Sequence, residues 1–137
     1  LLAFVNLGIL KTEIKNWQSR QDLEGRAQAH APKRSYALGL NWAPTSHTYL
    51  EIHFTGKSSF YYSDSHNNKS KSYVLTNLNL GYVKNNWNYE LWARNIFDEY
   101  YSVRGFYFGN EAPNFIDTLY ERHGDPRHIG ISIRYDF

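Results

Sequence analysis

The chain has 137 residues and no Cys, so it can form one domain or part of a larger one, and disulfide scaffolds and thiolate metal sites are excluded. Aromatic residues make up 18% of the sequence, yet the mean hydropathy is −0.64. This combination excludes helical membrane spans, which need about 20 consecutive apolar residues. The net charge is +2 with scattered basic residues, so no nucleic-acid partner is indicated.

Six runs of alternating apolar and polar residues predict six β-strands. The last run is the most regular, because every odd position from Ile129 to Phe137 is apolar while the even positions are small or polar. Such a run has one apolar and one polar face and is long enough for a tilted strand to cross a bilayer. The six predicted strands are Leu1–Ile14, Arg34–Trp42, Thr48–Phe60, Ser72–Val83, Trp87–Tyr101 and Arg127–Phe137.

The connections between these runs are alternately long and short. The long ones span residues 16–33, 63–70 and 103–126, and the short ones residues 43–46 and 84–86. No helix of normal length is predicted. This order is typical of an antiparallel up-and-down transmembrane β-barrel with short periplasmic turns and long extracellular loops. A soluble β-sandwich is also compatible with the composition.

Six strands are too few to close a membrane barrel, since single-chain bacterial examples begin at eight. Open edges would expose unpaired backbone groups to hydrocarbon at several kcal/mol each. The chain also begins at Leu1 within an apolar alternation, without Met or a charged leader. We therefore expect residues 1–137 to be the carboxy-terminal part of a barrel whose other strands come earlier, with no plug domain and no signal peptide among them.

Three stretches near the carboxy terminus carry a family resemblance. Trp87–Asp98, which ends in Asn-Ile-Phe-Asp, resembles the penultimate strand of TonB-dependent outer-membrane receptors, where Leu is usual at the position of Ile96. Arg104–Pro113 resembles the last outer loop of many members, and Gly124–Phe137 resembles the closing strand. A weaker similarity covers Gly25–Lys33.

The resemblance implies a plugged barrel of about 22 strands in the Gram-negative outer membrane, with the carboxy terminus on the periplasmic side. It further implies receptor function in the energy-coupled uptake of a scarce ligand. A ferric siderophore or another iron source is the first expectation, and haem, cobalamin or a glycan are alternatives. The implied partners are outer-membrane lipid and the TonB complex, which would act through an amino-terminal part not present here. A channel or enzyme barrel without a plug remains an alternative.

An aromatic segment, Val103–Tyr120, is the best candidate for ligand contact. Its rings offer stacking surfaces beside cations, which suits siderophores, haem or sugars alike. Structural packing in the barrel mouth is the alternative interpretation. The candidate residues are Arg104, Phe106, Tyr107, Phe108, Tyr120 and Arg122, and Phe115 offers a further ring.

The terminal residues Ile133, Tyr135 and Phe137 resemble the signal by which the barrel-assembly machinery recognises its clients. An alternating strand can pair with an open sheet edge by β-augmentation. Membership of the interfacial aromatic belt is the alternative for Phe137. Trp42 and Tyr82 end descending strands, so we assign them to the inner aromatic girdle.

Glu90 and Arg134 are expected on the luminal face, opposite one another as a structural ion pair. The six His residues show no metal-ligand spacing. Asp64 and His66 lie two positions apart, but in a Ser/Asn-rich loop, so we predict no metal site and no cofactor. No nucleophile–base motif is present, so the sequence does not indicate an enzyme.

Overall fold

The computed structural model describes all residues 1–137 and has an all-β, antiparallel fold without an α-helix. One 3₁₀ turn, Gln21–Leu23, lies in the first long connection. The eight strands are β1 (Leu2–Ile9), β2 (Arg34–Trp42), β3 (Thr48–Lys57), β4 (Tyr73–Lys84), β5 (Trp87–Arg94), β6 (Ser102–Gly109), β7 (Asp117–His123) and β8 (His128–Tyr135).

Six of these strands form one open sheet in the order β1-β2-β3-β4-β5-β8. Each strand pairs with its neighbour in antiparallel fashion, and β1 and β8 are the two free edges. The three long connections leave the sheet at one end, which we call the loop end, and the two short turns close the opposite turn end. The predicted alternation of long and short connections is confirmed.

The predicted third long connection is present, but the expectation of no strand within residues 103–126 is wrong, because β6 and β7 form a hairpin there. The two strands pair only with each other. Predicted strand ends are also too long at the loop end. The first run stops at Ile9 rather than Ile14, and the fifth stops at Arg94 because Asn95 adopts a positive φ of 48°.

Register places the apolar positions of all six strands on one face. One complete row across the sheet consists of Ile129, Ala93, Leu78, Ile52, Leu40 and Ala3. The next row runs through Ile131, Leu91, Leu80, Leu50 and Trp42. We call this surface the apolar face and its reverse the polar face. The parity read from the sequence is confirmed.

Many large side chains of the apolar face are exposed, although Ala93 is buried and Ile52 and Leu78 are half-buried. Ile131 is 72% exposed and Leu80, in the middle of the sheet, is 47% exposed. Only 12 of 137 residues are buried. Seven of the twelve lie between the strands of the sheet, in residues 10–33, 58–72 and 95–127, and they include Leu23, Phe60, Tyr62, His66, Ser70 and Asn95.

On the polar face, aromatic rings lie across glycines of the neighbouring strand. Phe4 covers Gly39, Tyr49 covers Gly81 and Trp92 covers Gly130 so closely that a Cβ atom at these glycines would collide with the ring. The absence of a side chain allows each ring to lie flat on the sheet. The polar face is therefore filled by tyrosine, tryptophan, amide and carboxylate groups.

Candidate functional site

The β6–β7 hairpin arranges most of the predicted ligand-contact residues on one face. Arg104 is paired with Arg122 and Phe106 with Tyr120 across the two strands, and Phe108 lies one pair further on. The rings of Phe108 and Tyr120 are 5.3 Å apart. Both arginines are exposed, and neither forms a salt bridge. Two guanidinium groups directly opposite one another repel, so this face favours an anion.

Tyr107 is separated from the other candidates, because it points to the opposite face of the hairpin. Its ring lies 5.7 Å from that of His66 in the second long connection. A cleft of about 260 Å³ opens between this connection and the hairpin. Arg104, Phe106, Tyr107 and Phe108 line it, whereas Tyr120 and Arg122 do not. The remaining lining residues are His30, Tyr62, Ser63, Ser65, His66 and Gly105.

Tyr62 attaches the hairpin to the second long connection. Its hydroxyl donates a short hydrogen bond to a carboxylate oxygen of Glu121 in β7, and its ring lies against Gly105 in β6. Burial, together with this hydrogen bond, raises the pKa of Tyr62 to about 12. The same hydrogen bond is the main cause that lowers the pKa of the Glu121 carboxyl. Tyr62 therefore holds the hairpin from the face opposite to that of Arg104 and Arg122.

Arg26 joins the first and second long connections. Its guanidinium, whose side chain is only 7% exposed, donates to the carbonyl oxygens of His66 and Ser63 and to the carboxylate of Asp64 at 3.1 Å. It also lies 4.4 Å from the centre of the Tyr61 ring. A planar cation with five donors can satisfy several acceptors at once, which a lysine could not do.

The Asn95–Asp98 turn fastens the two ends of the third long connection together. The buried Asn95 amide donates to the carbonyl oxygens of Glu99 and Asp125, at 3.0 and 3.1 Å, and accepts from the Glu99 amide. The Asp98 carboxylate accepts from the backbone N–H of Arg127 at 2.8 Å. Both residues have positive φ, a conformation that Asn and Asp tolerate. This gives the Asn-Ile-Phe-Asp motif a structural role.

The predicted ion pair between Glu90 and Arg134 is wrong, because the register of β5 and β8 differs by two residues from the expected one. Glu90 faces Ser132, and Arg134 faces Asn88. Glu90 instead accepts a hydrogen bond from the Tyr49 hydroxyl at 2.9 Å. Arg134 pairs with Asp136 at 3.3 Å on the exposed surface.

The carboxy-terminal residues lie at the turn end of the apolar face. Ile133 and Tyr135 are paired with Tyr89 and Trp87 of β5, and Phe137 is fully exposed next to Tyr135. The neighbouring rings form a continuous aromatic group with centroid distances of 4.8 to 6.5 Å. Its members are Tyr82, Trp87, Tyr89, Tyr135 and Phe137.

The histidines lie apart from one another or in structural hydrogen bonds. Asp64 is engaged by Arg26 and by the Ala29 amide, and His66 Nδ1 accepts from the Asn68 amide at 3.2 Å. No group of three or more His, Asp or Glu side chains is placed to hold a metal ion.

Three features of the loop end were not predicted from the sequence. They are the β6–β7 hairpin, the hydrogen bonds of Arg26 to the second long connection (the Arg26 cluster), and the Asn95–Asp98 turn that joins the ends of the third long connection (the Asn95 clamp). The hairpin had a partial signal, since Ser102–Gly109 contains Val103 and three aromatic residues, whereas Asp117–His123 contains only Thr118 and Tyr120 of these types, and a Pro- and Asn-containing turn lies between them. Arg26 had none, because its partners lie about forty positions away.

No known family model matches the chain. No solved structure matches it either. The chain has no helix that is both long and apolar enough to span a membrane.

Proposed function

We propose that residues 1–137 are the last six membrane-spanning strands of a plugged outer-membrane barrel of about 22 strands that takes up a scarce ligand, with a ferric siderophore or other iron source as the first candidate. The single observation that carries the proposal is the apolar face, which is continuous over all six strands. Monomeric soluble proteins rarely leave a patch of this extent open to water. Lipid tails are the natural medium for it.

The dimensions and the aromatic residues of the sheet fit a bilayer. β4 has 12 residues and is about 37 Å long at ~3.4 Å per residue, which a tilt of about 40° reduces to a height near the ~25 Å apolar band of such barrels. The aromatic group at the turn end occupies the position of an interfacial girdle. On this proposal the turn end is periplasmic, and the loop end with its hairpin is extracellular.

The free edges of β1 and β8 support a larger barrel. Each edge carries a row of backbone groups without a partner in this sheet. In hydrocarbon such groups cost several kcal/mol each, so further strands must pair with both edges. The edge of β8, with Ile133, Tyr135 and Phe137, is also the edge that the barrel-assembly machinery would recognise.

Expressing residues 1–137 alone tests the membrane part of this proposal against a soluble β-sandwich. We expect aggregation in water and folding only in detergent or lipid, because the apolar face has no other cover. A monomer that is soluble without detergent and unfolds cooperatively would contradict the proposal. A channel or enzyme barrel is the second alternative. A plug domain and a TonB box preceding these strands in the intact protein would exclude it.

Within this function, the hairpin face with Arg104, Phe106, Phe108, Tyr120 and Arg122 is the candidate contact for an anionic, partly aromatic ligand. Two opposed guanidinium groups without acidic partners gain most from an anion placed between them. The rings beside them supply apolar surface for stacking.

Growth of a strain that depends on the intact protein identifies the ligand. Ferric siderophores, haem, cobalamin and oligosaccharides are supplied one at a time. For the ligand that supports growth, replacing both Arg104 and Arg122 with Gln should weaken binding by tenfold or more. Arg20→Gln is the matched control, since Arg20 already pairs with Asp22 at 2.9 Å. Equal affinity in all variants would exclude the hairpin face as the contact.

A further inference from the structure

A second cleft lies at the loop end, between the first and second long connections. Its volume is about 260 Å³, and its lining residues include three cationic ones, Lys33, Arg34 and Lys69, together with the hydroxyl-bearing Ser58 and Ser59. No acidic residue lines it, and none of its three cations takes part in a salt bridge. A concentration of unpaired positive charge with hydroxyl donors is suited to an anion with several oxygens.

The cleft is continuous with the apolar face. Arg34 is the first residue of β2 and has the same strand parity as Tyr36 and Leu38, so it lies at the loop-end border of that face. Arg34 and Ser58 also line the adjoining groove, together with Tyr36 and Val74 of the apolar face and with the charged residues Lys57 and Glu99. The distance from the Arg34 to the Tyr36 Cα atom is about 7 Å for two residues of strand. An anionic group held in the cleft would therefore have apolar surface directly beside it.

The donors of the cleft are held in place. The Ser58 hydroxyl oxygen accepts from the backbone N–H of Arg34 at 3.1 Å, which leaves its own hydrogen free to donate. The Lys69 ammonium lies 4.2 Å from the centre of the Tyr61 ring. The same ring is held by Arg26, so Lys69 is positioned by the buried cluster of the loop end.

The turn-end border of the same face has a different character. There the apolar face ends in tyrosine and tryptophan rings, and Lys84 is the cation that follows Tyr82 with the same strand parity. Three cationic residues therefore lie together at the loop-end border of the apolar face, whereas Lys84 stands alone at the turn-end border. A lipid that carries phosphate would thus be recognised in one leaflet and not in the other.

We propose that the cleft of Lys33, Arg34 and Lys69 binds the phosphomonoester headgroup of a membrane lipid whose tails lie along the apolar face. The inference rests on the membrane-spanning function proposed above. It adds a specific lipid site at the loop-end leaflet, distinct from the ligand-contact face of the hairpin. A neighbouring cleft shares Lys33 and Arg34 and is lined by both Lys11 and Glu13, so these two residues add no net charge to it.

The test uses the intact barrel protein reconstituted in phosphatidylcholine nanodiscs, with phosphatidic acid as the probe for a phosphomonoester lipid. Native mass spectrometry counts the phosphatidic acid molecules retained. Each charge removed by Lys33→Gln, Arg34→Gln or Lys69→Gln should weaken retention about fivefold, and the triple variant about a hundredfold. Lys84→Gln is the matched control at the opposite border and should retain the wild-type affinity.

Three outcomes overturn the inference. These are equal retention by the triple variant and the wild type, an equal loss in Lys84→Gln, and displacement of the lipid by millimolar inorganic phosphate, which would identify a free-phosphate site. A separate measurement, heat-modifiable gel mobility, reports whether the protein inserts into pure phosphatidylcholine at all. Failure to insert contradicts the proposed membrane function, whereas insertion without a preference for phosphatidic acid contradicts the lipid site alone.

Discussion

The six-stranded sheet and the assembly at its loop end differ in where they place their apolar side chains. In the sheet, leucines and isoleucines are exposed in register while amides, carboxylates and tyrosines are bonded to each other on the reverse face. At the loop end, Leu23, Phe60 and Tyr62 are buried, and Arg26 and Asn95 bridge segments of the chain. The loop end has a core of its own, whereas the apolar side chains of the sheet remain largely exposed. The two regions therefore respond differently to substitution.

The largest effect is expected on the apolar face. If the proposed barrel is correct, Ile131→Arg should destabilise it by about 2–4 kcal/mol, because a guanidinium near the middle of its apolar band must be desolvated. Ser132→Arg, one residue along on the polar face, should be tolerated. The folded fraction in outer-membrane preparations, measured by heat-modifiable gel mobility, separates them. Equal loss in both variants would remove the distinction between the two faces.

A smaller, local effect is expected for Arg26. Arg26→Ala leaves the carbonyls of Ser63 and His66 without their donor and removes one of the two donors to the Asp64 carboxylate, at a cost of about 2–3 kcal/mol to the loop end. Arg20→Ala, which breaks an exposed pair, should cost less than about 1 kcal/mol. Hydrogen exchange of residues 58–72 reports the change. Unchanged exchange in Arg26→Ala would show that the cluster does not hold the connections.

Asn95→Ala tests the clamp of the third connection. It removes both amide donors and the acceptor from a buried site and places Ala at positive φ, so we expect a cost of about 1–2 kcal/mol. Limited trypsin digestion should then cut sooner at Arg104 and Arg122, while the strands of the sheet stay protected. If Asn86→Ala in the short turn accelerates the same cuts equally, the clamp has no specific role.

The smallest effect concerns Tyr62 and is dependent on pH. The lowered pKa of Glu121 gives the hairpin stability that is present above the ordinary carboxyl pKa and lost as the pH falls through the lowered value. The raised pKa of Tyr62 gives stability that is complete below pH 10 and lost as the pH rises towards about 12. Tyr62→Phe should cost about 1 kcal/mol at neutral pH.

Hydrogen exchange of β6 and β7 as a function of pH measures this contribution. The wild type should lose protection at both extremes, and Tyr62→Phe should show weaker pH dependence. Tyr61→Phe is the control, because no hydrogen bond of its hydroxyl holds the hairpin. An identical pH profile in wild type and Tyr62→Phe would show that Glu121 does not attach the hairpin through Tyr62.

The alternation of apolar and polar residues along each strand made the sheet predictable from the sequence. Side chains of a strand point to opposite sides in turn, so the apolar positions of β2, β3, β4, β5 and β8 could be assigned to one face without any tertiary information. Strand pairing followed from the short turns at residues 43–47 and 85–86. The register of β5 with β8 could not be predicted in this way, because a 33-residue-long connection, residues 95–127, fixes no offset between them. The expected Glu90–Arg134 pair failed for that reason.

The amino-acid sequence by itself determined the class of structure, the two faces of the sheet, the order of long and short connections, and the aromatic and cationic residues available for ligand contact. Only the tertiary structure decided that Arg104 faces Arg122, that Tyr107 points away from them, and that Lys33, Arg34 and Lys69 share one cleft. Strand faces repeat with a local period, so they are encoded in neighbouring residues. Clusters at the loop end join positions about forty residues apart, and such contacts have no local signature.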